Sequence, residues 1–255
     1  MINTSTSIDS PRPFWQHVIE LRTAVIVSLS FFLICTLVAY YFSEPIFHIL
    51  VSPLEQLFAA KGEVRRFIYT SLTEAFVTYL KVALFAGLFF TFPFIALQAW
   101  LFVSPGLYKR ERGLFFCLLF SVPFFFVIGA LFAYYIVLPA AFSFFLSFET
   151  MIGSIPLQLE TKMSEYLSLV MRLLLAFGFS FELPVVLAGL AWLGVLSKET
   201  LIKRWRLAVV GVTFLAAVIT PPDALSMIFL ALPLLLLYAI SIVIIHFIEK
   251  HKRHA

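Results

Sequence analysis

Charge is scarce in this sequence. Asp, Glu, Lys and Arg make up 13% of the 255 residues, against 62% hydrophobic residues. Soluble domains carry about 25% charged and about 45–50% apolar residues, so a soluble globular domain is excluded. Cysteine is nearly absent. Cys35 and Cys117 both lie inside apolar runs, which leaves no disulfide framework and no metal-type cysteine spacing. Both read as small buried hydrophobes. There is no glycine-rich phosphate loop, nucleophile elbow, zinc-type His pair or Ser/Lys dyad in an apolar run. The five histidines are scattered, and only His246 lies within a long apolar run. The chain thus reads as a non-enzyme with no cofactor and no metal, and nothing in it points to nucleic acid. No short apolar core followed by a small-residue cleavage site opens it, so its first apolar run is expected to be retained.

What the sequence has instead is long apolar runs. Residues 82–108 and 113–148 contain no Asp, Glu, Lys or Arg. Between them stands a basic knuckle, Ser104-Pro105-Gly106-Leu107-Tyr108-Lys109-Arg110-Glu111-Arg112. Runs this long and continuous specify membrane-spanning helices, because barrel strands alternate over about ten residues. The pattern predicts one all-α integral membrane domain over 1–255 with six spans. An amphipathic helix over about 10–22, with Ser10 as cap and Pro11 at its first position, would lie on the membrane surface. It feeds a first span over 23–43. A partly structured loop covers 44–71, and Ser71-Leu-Thr-Glu74 reads as a capping box that starts the second span. Lys81 can snorkel from that span, and Pro93 predicts a kink. The third span, 114–138, bends near Pro123 and ends at Pro139, followed by an interfacial segment over 140–148. The fourth runs over 165–192. The fifth, over 207–222, reaches only about 24 Å, short of the roughly 30 Å hydrocarbon core. The sixth lies within 224–248 and contains Pro233, and a basic tail over about 249–255 closes the chain.

Six spans put both termini on one side. Twelve of the eighteen Lys and Arg then fall on that side and four on the other, so the positive-inside rule makes the termini and the knuckle cytoplasmic. No repeat of the kind that builds inverted transporters is present.

Two sets of residues stand out chemically. Glu182, near the middle of the fourth span, shares that span with Arg172 and is followed by Pro184. An ionised carboxylate there costs several kcal/mol. It therefore faces other helices or a water-filled cavity, or is protonated. A structural hydrogen bond, a docking point for another helix and a proton site all remain open for it. The second set is Glu20 and Glu111 on the cytoplasmic face, with Arg22, Lys109, Arg110 and Arg112 beside them. Solvated ion pairs would be the ordinary role of such a group. Two carboxylates held on a rigid face could instead accept two guanidinium groups in bidentate contacts, which Lys cannot copy.

At these residues the chain resembles the C subunit family of the twin-arginine protein translocase (TatC). His17-Val-Ile-Glu20-Leu-Arg22 is similar to the family's N-terminal H-x-x-E-L-R, and the 104–112 knuckle to its first cytoplasmic loop. Phe177-Gly-Phe-Ser-Phe-Glu182-Leu-Pro184 is similar to its fourth span, Thr220-Pro221-Pro222-Asp223 to its last external turn, and Val51-Ser-Pro53-Leu to a first-loop motif. The matches run in order over nearly the whole chain. The resemblance implies a glove-shaped six-helix bundle with short fifth and sixth spans, in a bacterial inner membrane. It implies a receptor for folded proteins whose signal peptides carry paired arginines, driven by the proton motive force. The arginine pair would be received at Glu20 and Glu111. Single-span A- or B-type subunits would dock at Glu182 and at the external turns with Pro53 and Thr220–Asp223. Further copies of the C subunit and membrane lipid complete the implied partners. A proton-coupled small-solute transporter working through Glu182 is the alternative. Two positions depart from the family pattern: Lys162 stands where an acid is common before the fourth span, and Met227 where a polar residue is common after the last turn.

Overall fold

The computed structural model describes residues 14–60, 62, 66–103, 112–148, 150–152, 155–157, 161–219 and 224–254. Its helices are α1 (Phe14–Tyr41), α2 (Ser43–Ala60), α3 (Glu74–Val103), α4 (Arg112–Phe132), α5 (Leu138–Leu146), α6 (Met163–Trp192), α7 (Lys198–Lys203), α8 (Trp205–Ile219) and α9 (Ala224–His254). A π-helical turn, Ala133–Val137, joins α4 to α5. A short antiparallel hairpin, β1 (Thr150–Ile152) with β2 (Ile155–Leu157), follows α5 and pairs Thr150 with Leu157. Helices dominate because a chain in hydrocarbon must satisfy its own backbone groups within each segment.

Among the described residues, five stretches are long and apolar enough to cross a membrane: Val18–Tyr41, Glu74–Ala99, Phe120–Leu146, Met163–Trp192 and Leu230–Lys250. The remaining apolar helix, α8, has 15 residues and spans about 22 Å, which bears out the short fifth span. Within the bundle α1 packs chiefly on α3, α4 on α6, α6 on α9, and α8 on α9. The main core gathers Leu50, Leu54 and Val82 with Phe142, Leu167, Phe177, Ala216 and Leu230.

Several expectations change in detail. The surface helix and the first span are one helix, since Arg22 and its neighbours include no Gly or Pro to break it. The first loop holds an 18-residue helix, α2, with Pro53 inside it. Pro139 does not end the third span. The π turn intervenes, with the Leu138 N–H bonded to the Ala133 carbonyl, and Pro139 falls in the first turn of α5, where a missing N–H costs no hydrogen bond. The sixth span, Leu230–Lys250, has 21 residues and lies within a longer helix, α9, of 31 residues, whose last turns take up the basic tail.

Candidate binding sites on the bundle

The first site lies at the end that carries Glu20. Helix α1 runs antiparallel to α3, with Phe31 and Phe94 rings 4.5 Å apart. Val103, the last residue of α3, and Arg112, the first of α4, flank the knuckle in the chain, and Glu20 lies at the end of the bundle where α3 finishes. Glu20 is half-buried on α1 and Arg22 is exposed. Lys109, Arg110 and Glu111 lie outside the described residues. Next to Glu20 a cleft of about 510 Å³ opens between α1 and α3. Leu21, Val25 and Leu29 wall it on one side and Leu88, Ile95 and Phe102 on the other, with Ser28 and Gln98 as its polar lining residues.

The second site surrounds Glu182 on α6. Two glycines let α4 and α6 approach closely. A Cβ on Gly129 would come within 2.5 Å of the Phe177 carbonyl oxygen, and one on Gly178 within 2.7 Å of the Phe126 ring. Phe126 stacks on Phe92 of α3 at 4.0 Å and packs edge-on against Phe179 at 5.5 Å. Glu182 lies one turn past Gly178 on the same helix face and is only 8% exposed. Neither of its carboxylate oxygens makes a hydrogen bond with a described residue. It faces other helices, as its cost in lipid requires. Pro184, also buried, removes the N–H that would bond the Ser180 carbonyl. A carboxyl group so placed can accept a donor from a further helix or hold a proton.

The third region is the opposite end of the bundle. The carboxylate of Glu74, 8% exposed, accepts from the Thr70 N–H at 2.7 Å, the Thr70 hydroxyl at 2.9 Å and the Ser164 hydroxyl at 2.5 Å. The expected capping box from Ser71 to Glu74 is replaced: α3 starts at Glu74 itself, whose carboxylate reaches back four residues to Thr70. The same carboxylate ties the start of α3 to the start of α6. Ile68 and Lys162 add a parallel bridge there. Lys162, which departs from the family pattern, is the cap residue of α6 and lies 3.6 Å from Glu165. Pro53 is buried inside α2 and not in a turn. Its missing N–H frees the Ile49 carbonyl, which accepts the Tyr134 hydroxyl at 2.7 Å. The Tyr166 hydroxyl bonds the next carbonyl, Leu50, at 3.0 Å. Neither tyrosine stood out in the sequence, although a proline in a helix signals a carbonyl four residues earlier in need of a donor. Met227 packs partly buried against the main core. Thr220, Pro221, Pro222 and Asp223 lie outside the described residues.

A multi-pass helical bundle with an apolar cleft at one end and a buried mid-span carboxylate, unpaired among the described residues, defines an integral membrane protein. Comparison with known proteins narrows the class. The family model for the Sec-independent protein translocase protein (TatC) matches residues 16–233. The Sec-independent protein translocase protein TatC of Rickettsia prowazekii is 44% identical over 239 residues, which is 94% of each chain. That of Escherichia coli strain K12 is 36% identical, over 92% of this chain and 89% of its own. The crystal structure of a twin arginine translocase receptor, TatC, superposes with a TM-score of 0.80 at 36% identity, covering 91% of this chain and 99% of that one. This chain belongs to the TatC family of Sec-independent protein translocase proteins, multi-pass proteins of the bacterial inner membrane.

Proposed function

We propose that this chain is the receptor core of a twin-arginine translocase. Its work is binding and conduction, not bond-making catalysis. The observation that carries the reading is the apolar cleft opening one residue past Glu20 and ending at Phe102, where α3 leads into the knuckle. A signal peptide has the matching shape: a cationic head and an apolar segment. The head meets Glu20 and Glu111, with Arg22, Lys109, Arg110 and Arg112 setting the local field, and the apolar segment enters between α1 and α3. The termini and knuckle face the cytoplasm, in keeping with the bias of Lys and Arg toward that side.

Glu182 is the docking point for a polar group on a single-span A- or B-type subunit. Its burial and its want of a donor support that role. Such a partner enters between α3, α4 and α6 and displaces part of the phenylalanine cluster. Pro53 and the Thr220–Asp223 turn contribute at the other end. Further copies of the chain complete the complex, and the proton motive force drives transport.

The test is site-specific photocross-linking from positions 20 and 111 to a signal peptide with and without its arginine pair. Arginine-dependent cross-links at both positions are expected. Each bidentate contact contributes about 1.5–3 kcal/mol, so Glu111→Ala and Glu20→Ala should each weaken peptide binding by about tenfold to a hundredfold. Unchanged affinity in both variants, with the protein correctly inserted, would refute the assignment.

A further inference from the structure

Two cations in the spans have no use in the reading above. Lys81 on α3 and Arg172 on α6 are both exposed. Neither makes an ion pair or hydrogen bond with any described residue. Exposed charges at membrane depth are costly and call for a partner.

Their placement follows from contacts on either side of them. α3 and α6 both start at the Glu74–Ser164 hydrogen bond and run in the same direction. Further along, Phe92 of α3 meets Phe179 of α6 with ring centroids 5.0 Å apart. Glu74 and Phe92 are five helical turns apart and so share the α3 face turned to α6. Lys81 lies about two turns past Glu74 on nearly the same line, and Arg172 about two turns before Phe179. The two cations thus border one seam. They stand at one depth, about 11 Å below Glu74 and about 12 Å below Ser164. Helix α4 closes one flank of the seam, because Phe126 touches Phe89 and Phe92 of α3 and Phe179 of α6. The exposed Lys81 and Arg172 therefore open on the other flank together. Two acids at that end are engaged: Glu74 holds Thr70 and Ser164, and Glu165 lies against Lys162.

We infer that Lys81 and Arg172 form a site for the phosphate of an anionic phospholipid in the leaflet at the Glu74 end. Each helix has 30 residues, about 45 Å, and outreaches the roughly 30 Å core. Both cationic heads consequently lie within a side chain's reach of the headgroup level. An ammonium and a guanidinium together suit a phosphodiester. Val77 and Leu84, four before and three after Lys81, are exposed on the same face and supply an apolar wall for an acyl chain.

The experiment uses the full chain in phosphatidylcholine vesicles doped with photoactivatable phosphatidylglycerol. Labelled peptides are read by mass spectrometry. Label is expected on the segments around Lys81 and Arg172, with little from a photoactivatable phosphatidylcholine. Removing one cation, by K81Q or R172Q, should lower it about fivefold, and removing both about thirtyfold. K81R and R172K should retain it. Undiminished label in the double variant, equal label from phosphatidylcholine, or displacement by inorganic phosphate would overturn the site. So would a double variant that keeps the lipid label but loses cross-links to a single-span subunit, because the cations would then serve a protein carboxylate.

Discussion

Glu74 and Glu182 are buried to the same degree, each 8% exposed, yet their surroundings are opposite. Glu74 sits at a helix start with three donors on its carboxylate. Glu182 sits mid-span among phenylalanines with none. Burying a carboxylate is tolerable where donors replace its water, and expensive where they do not. Glu74 thus belongs to the architecture, fixing where α3 and α6 begin. Glu182 makes no comparable tie to any described residue, and a neutral side chain of its size would serve the isolated fold as well.

Substitutions at five positions would break or sharpen this contrast. The largest effect is expected for Glu74→Ala, which strands the Thr70 N–H and the Ser164 hydroxyl. Its thermal midpoint in detergent should fall by the most, with Glu74→Gln recovering part of the loss; equal midpoints for wild type and Glu74→Ala would place the tie outside the stability of the fold. Next comes Gly129→Ala. Its Cβ would collide with the backbone carbonyl of Phe177, so α4 must move off α6, at about 1–3 kcal/mol. Gly178→Ala meets only the ring of Phe126 and should cost less. If denaturant unfolding ranked the two glycines the other way, the account of this interface would fail. Tyr134→Phe removes the donor for the Ile49 carbonyl and should cost about 0.5–1.5 kcal/mol, read by the same unfolding assay. The smallest change in stability is expected for Glu182→Gln: no loss, or a slight gain, since the charge has no partner to lose. Cross-linking to single-span subunits should nevertheless fall. A Glu182→Gln protein as unstable as Glu74→Ala would make Glu182 structural after all.

Much of this was legible in the sequence. The apolar runs and the short fifth span rest on local length and composition. Glu182 stands out by charge alone. Glu74 could be read only as a local cap, because its bond to Ser164 joins residues far apart in the chain. Pro53 read as loop chemistry. Inside α2 it is tolerated because Tyr134, from the turn after α4, reaches the carbonyl it frees. Pro139 read as a stop. The π turn before it keeps the helix going, and a turn of that kind has no sequence signature as plain as Gly or Pro.

The sequence by itself determined that the chain crosses a membrane, how many times, and where its rare charges fall. These follow from the cost of polar groups in hydrocarbon, which acts on each segment separately. Tertiary structure decided which charges are satisfied and which are left open. It tied Glu74 to Ser164 and left Glu182 without a donor among the described residues. Those outcomes depend on which helix faces meet, and that is fixed by glycine contacts and phenylalanine packing between segments distant in the chain.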